Sequence, residues 1–100
     1  MIEIIEIRAL HKTRKILESE LQRILVEMET TSPAFNVRIY TRIKLETDFV
    51  ILIMNESDSF NGRESELGIR LSEGLKDYGM VNHSKWHELK PMNKENQPIV

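Results

Sequence analysis

Arg38, Tyr40 and Arg42 stand two residues apart in the run AFNVRIYTRIK. On an extended strand that spacing puts all three on one face. Two guanidiniums and a phenol there could clamp a small anionic or aromatic molecule. Glu6, in IEIIEI, can face the same space from another strand; it either joins that ligand site or pairs the arginines as a structural contact. His83 and His87 form a second candidate group. On a helix, His-x-x-x-His places two imidazoles on one face for a metal. On a strand four residues span roughly 13 Å, too far for one ion, and no metal site is expected. Trp86, the sole tryptophan, shares this stretch and suits either stacking on a ligand or anchoring a seam between subunits. His11, near the start of a helical pattern, reads as solvated.

Other chemistries lack their residues. The chain has no cysteine, hence no thiolate nucleophile and no cysteine metal site, as suits a reducing compartment. It carries no Gly-x-Ser-x-Gly, no phosphate-cradling glycine loop and no Gly-x-Gly-x-x-Gly. No catalytic residue is assigned and no cofactor is called for. Lys and Arg number 14 against 16 Asp and Glu, so no positive excess gathers nucleic acid or an anionic membrane surface. The longest apolar run, FVILIM, has 6 residues, short of the ~20 needed to span a bilayer. Glu3 and Glu6 interrupt the N-terminus where a secretory signal needs apolar continuity. A cytoplasmic protein bound to neither nucleic acid nor membrane is expected.

The elements that position these residues follow from periodicity. IEIIEIRA (2–9) is an Ile-rich strand, with Ile2 and Ile4 on one side and Ile5 and Ile7 on the other. From about Lys12 to Thr30, Leu17, Leu21, Ile24, Leu25 and Met28 recur at helical spacing, and TTSP should stop that helix. A second strand carries Val37, Ile39, Thr41 and Ile43 opposite Asn36, Arg38, Tyr40 and Arg42. LETD (45–48) is the expected hairpin connection to DFVILIMN. ESDSFNGRES reads as a polar loop. A second helix spans roughly Glu64 to Tyr78 on Leu67, Leu71, Leu75 and Tyr78, and its small residues Gly68, Ser72 and Gly74 suggest close packing. Gly79 suits the position just past its end. A short strand over 80–89 follows, and residues 91–100 read as a loose tail after one domain over 1–90.

Strand, helix, strand, strand, helix, strand resembles the ferredoxin-like α+β fold, with sheet order 4-1-3-2 and both helices on one face of an antiparallel sheet. IEIIEI and FVILIM, apolar on both faces, suit the two central positions. Arg38, Arg42, His83, Lys85 and His87 suit the edges. Two helices cover only one face, and leaving three or four large apolar side chains wet on the other forfeits ~1.5–3 kcal/mol each. A second copy of the sheet is the expected cover, giving a homodimer. The competing possibility is a long strand on which alternation has blurred. Which residues form the dimer face depends on the hairpin register. An even loop puts Val50, Leu52 and Met54 with Val37 and Ile39 under the helices, leaving Ile4, Phe49, Ile51 and Ile53 on the dimer face; an odd loop exchanges the two sets. The even loop is the working expectation.

Over residues 1–90 this combination of element order, helix lengths and apolar central strands looks like the dimeric α+β barrel superfamily. That group includes antibiotic-biosynthesis-type monooxygenases, haem-degrading monooxygenases and stress-responsive barrel proteins. The stretch LGIRLSEGLKDYGMVNHSKWHEL (67–89) also looks like short prokaryotic proteins of unassigned function. The resemblance implies a homodimer enclosing a small organic molecule between its sheets. It also admits a cofactor-independent monooxygenase with Tyr40, His83, Trp86 or His87 as pocket groups, or a domain devoted to self-association. The haem-degrading pattern uses an Asn in the first strand and a Trp and a His near the second helix. Here IEIIEI has no Asn, and Trp86 and His83 follow that helix. RNA-recognition domains share the strand order but stack bases on central-strand aromatics, which Ile5 and Ile53 do not supply.

Overall fold

The computed structural model describes residues 1–31, 35–55 and 65–91. Strand β1 (Ile2–Ala9) leads through a 3₁₀ turn, His11–Thr13, into helix α1 (Arg14–Thr31). Strands β2 (Phe35–Arg42) and β3 (Leu45–Asn55) form a hairpin. Helix α2 (Glu66–Leu75) runs into a 3₁₀ turn, Lys76–Tyr78, and then strand β4 (Gly79–Trp86). The sheet order is β2-β3-β1-β4, with every neighbouring pair antiparallel. This is the α+β ferredoxin-like layout, with the two apolar runs in the centre. Helix α1 runs on through Thr30 and Thr31, past the stop expected before TTSP; the loop over 56–64 and the tail past 91 lie outside the described residues.

One face of the sheet and both helices enclose the core: Ile5, Ile7 and Ala9 of β1, Phe49, Ile51 and Ile53 of β3, Leu17, Leu21 and Ile24 of α1, and Leu67 and Leu75 of α2. The α1 stripe faces inward as its spacing requires, while Ile16 and Val26 on the opposite arc are exposed. Gly79 lets β4 approach β1: a Cβ there would collide with the Arg8 carbonyl. The junction is tied by Leu10 N–H and Thr13 Oγ1–H, which both donate to Tyr78 O, at 3.1 and 2.8 Å.

The hairpin corrects the expected register. Val37 pairs with Ile53 and Ile39 with Ile51, so Phe49, Ile51 and Ile53 lie under the helices at 3, 0 and 1 % exposure. They are not on the outer face, and of the four residues expected there only Ile4 is. The cause is the break in the ladder beyond the turn, since the two-residue turn is itself even. LETD belongs to β3, the chain reverses at Ile43–Lys44 with Lys44 at φ 68°, and the ladder jumps from Thr41↔Phe49 to Arg42↔Leu45. Residues 46–48 of β3 fall between these two pairs, the strict alternation of β2 ends at Arg42, and Ile43 is exposed.

Candidate functional site

The corrected register builds a grid of side chains on the face without helices. Across β2-β3-β1-β4 the aligned rows read Asn36, Met54, Ile2, Trp86; then Arg38, Leu52, Ile4, Ser84; then Tyr40, Val50, Glu6, Asn82; with Asp48, Arg8 and Met80 closing the last row. Apolar groups fill the first two rows of the central strands, and charge collects at the other end. Trp86 Nε1–H donates to Ser84 Oγ at 2.8 Å, which lays the indole along β4.

At the charged end lies a concavity of about 580 Å³, lined by Glu6, Arg8, Tyr40, Arg42 and Asp48 over Ile4 and Val50. Asp48 joins two arginines. Arg8 Nε–H donates to Oδ1 at 3.2 Å and Arg42 Nη1–H to Oδ2 at 3.3 Å. Partial removal from water works against the charged form of Asp48. The hydrogen bond and charge of Arg8, followed by the hydrogen bonds of Arg42 and Thr47, outweigh it and hold the carboxyl below the ordinary aspartate range. Arg42 spends one N–H on this contact, which leaves most of its five donors for a further acceptor.

Glu6, Tyr40 and Arg42 of the sequence-derived set therefore meet around one cavity. Arg38 shares their face one row away, opposite Leu52, and Trp86 closes the far corner opposite Ile2. Arg42 pairs Asp48 together with Arg8. Asp48 stands where LETD meets DFVILIMN, and the β1–β3 register brings it beside Arg8, a pairing that the alternation within either strand does not reveal.

His83 and His87 do not come together. His87 lies beyond the end of β4 and is exposed, while His83 pairs with Ile5 on the helix-covered face. There His83 Nε2 lies 2.8 Å from Oε2 of Glu3, a carboxylate only 2 % exposed. The other oxygen, Oε1, accepts the N–H of Ser65 at 2.8 Å. Ser65 is the N-cap of α2, its Oγ accepting the Gly68 N–H at 2.9 Å. In a capping box the third helical residue supplies a carboxylate to the N-cap N–H; here that residue is Gly68, and Glu3 supplies the carboxylate from β1. Gly68 is required, since a Cβ would collide with Oε2 of Glu3 and come within 3.0 Å of His83 Nε2. Among the described residues no buried side-chain polar atom lacks a partner, no cluster could hold a metal ion, and no helix is long and apolar enough to cross a membrane.

No protein-family model, curated protein or solved structure matches this chain.

Proposed function

We propose that the protein is a homodimer, assembled through the open faces of two sheets as in the dimeric α+β barrel proteins it resembles, and that the enclosed charged end binds a small organic molecule. The observation that supports this reading is the grid itself. Ile2, Ile4, Val50, Leu52 and Met54 form a continuous apolar field on the two central strands, and Trp86 extends it at the rim. Four strands ~4.8 Å apart and eight residues ~3.3 Å apart give a plan area of ~500 Å². Corrugated by side chains, that approaches the ~800 Å² per partner of a specific interface. Burial of each large apolar side chain is worth ~1.5–3 kcal/mol, and a two-fold axis lets one patch serve both chains.

The charged end is the part of the face that apolar packing alone does not use. Arg42 with donors to spare, the Tyr40 phenol and the apolar floor of Ile4 and Val50 suit a small aromatic acid, its carboxylate on the guanidinium and its ring on the floor. Titration with salicylate tests the ligand reading. A saturable rise in melting temperature, lost in Arg42→Ala and reduced in Tyr40→Phe, is the expected result. A response identical in wild type and Arg42→Ala would remove the site.

A further inference from the structure

The Glu3–His83 pair lies outside the open face, and the proposed dimer makes no use of it. Its surroundings differ from those of an ordinary buried ion pair. His83 also lines a separate cavity of about 390 Å³ between α2 and β4, together with Ile69, Ser72, Glu73, Lys76 and Val81. The imidazole thus stands between a fully buried carboxylate and an open space.

We infer that this cavity is a second ligand site, in which His83, held by Glu3, accepts a proton from a small molecule carrying a weakly acidic O–H beside an apolar body. A carboxylate only accepts hydrogen bonds, so across the 2.8 Å contact a neutral His83 ring carries its proton on Nε2 and keeps Nδ1 as the acceptor. Glu3 cannot swing away: Oε1 is held by the Ser65 N–H, and Gly68 leaves room for the carboxylate alone. A fixed carboxylate behind an imidazole sets its tautomer and stabilises the imidazolium that forms when Nδ1 takes a proton.

The groups facing the ring define the ligand. Glu3 faces it from β1, and Ser72, Glu73 and Lys76 share the cavity from α2 and the turn after it. The Ser72 hydroxyl donates to Gly68 O at 2.8 Å, so toward the cavity it offers only lone pairs. Lys76 Nζ lies 2.7 Å from Glu73 Oε1. Ile69 and Val81 supply apolar wall. The site therefore accepts a proton at His83 and packs a ring on the aliphatic walls, with the Lys76–Glu73 ion pair on its rim. In the transfer the ligand O–H bond breaks, its electron pair stays on oxygen, and the proton goes to Nδ1; Nε2 keeps its proton, hydrogen-bonded to the Glu3 carboxylate.

Two measurements on the full chain test this. Nitrogen-15 NMR of the histidine rings at neutral pH should show His83 as the Nε2–H tautomer, with exposed His11 and His87 as internal references; a neutral ring carrying its proton on Nδ1 overturns the proposal without any variant. The second probe is p-nitrophenol, at a pH where the free phenol is mostly protonated. Wild type should generate the yellow phenolate band saturably, with a matching shift of the His83 Nδ1 resonance. His83→Gln should weaken binding tenfold or more and abolish the band; Glu3→Gln should bind but lose most of the band. Absence of the band in wild type, or its persistence in His83→Gln, overturns the proposal. Should either variant fail to fold, the tautomer and the wild-type titration decide.

Discussion

Glu3 on β1 and His83 on β4 meet at 2.8 Å beneath the first turn of α2, and the same carboxylate caps that helix through the Ser65 N–H. One buried side chain thus joins a central strand, an edge strand and a helix N-terminus, where the helix dipole also favours a negative charge. Leaving a buried hydrogen-bonding group without its partner costs ~1–3 kcal/mol, and truncating Glu3 strands both the Ser65 N–H and His83 Nε2. Glu3→Ala should therefore approach the limit of a domain held by ~5–15 kcal/mol, while Glu3→Gln, which keeps an acceptor for Ser65, should lose less. Urea denaturation of both variants checks the order; equal losses would mean that hydrogen bonding to α2 contributes nothing.

Two glycines of α2 should respond with opposite signs. A Cβ at Gly74 meets nothing within 4 Å, whereas one at Gly68 strikes the Glu3 carboxylate. Gly74→Ala should stabilise by up to ~1 kcal/mol from helix propensity. Gly68→Ala should destabilise by ~1–3 kcal/mol as the overpacked carboxylate is displaced. Thermal melts of the two variants decide, and a stabilising Gly68→Ala would contradict the packing described.

Gly79→Ala should also destabilise, for a different reason: its Cβ would press on the Arg8 backbone, and β1 cannot yield as a side chain can. Backbone amide exchange should then accelerate along the β1–β4 ladder and leave β2–β3 near its wild-type rate.

Asp48 predicts a pH dependence. Its folded pKa is depressed, chiefly by Arg8 acting against the loss of water, so its stabilisation is full above the unfolded value of about 3.9 and is lost as pH falls through the lower folded value. The melting-temperature gap between wild type and Asp48→Asn should be constant above about pH 5 and close in more acid solution. Salt should narrow it as well, since both arginines are mostly exposed. A gap independent of pH would separate the effect of the substitution from the carboxylate charge.

Architecture was legible because it follows from patterns the chain states openly. IEIIEI and FVILIM are apolar on both faces and could only be central, and the α1 spacing defined its buried arc. Register was less legible, because no Asn-Gly marks the turn and a reversal at Ile43–Lys44 followed by a bulge shifts the parity of β3 against β2. That shift exchanged Phe49, Ile51 and Ile53 for Val50, Leu52 and Met54. The site residues divide the same way: Tyr40, Arg42 and Glu6 were readable from alternation on their own strands, while Arg8 and Asp48 needed the register. Glu3 left a signal that could have been used. By parity it falls with Ile5 and Ile7 on the core face, and a carboxylate there demands partners; small Gly68 marked where one would fit.

If two sheets cover one another, the full chain at micromolar concentration is a dimer, and sedimentation equilibrium reads its mass. The expected result is a species of twice 11.8 kDa that dissociates on dilution, with Trp86 emission shifting to the red as the open face becomes wet. A folded species of single mass throughout, with Trp86 emission unchanged, would contradict it.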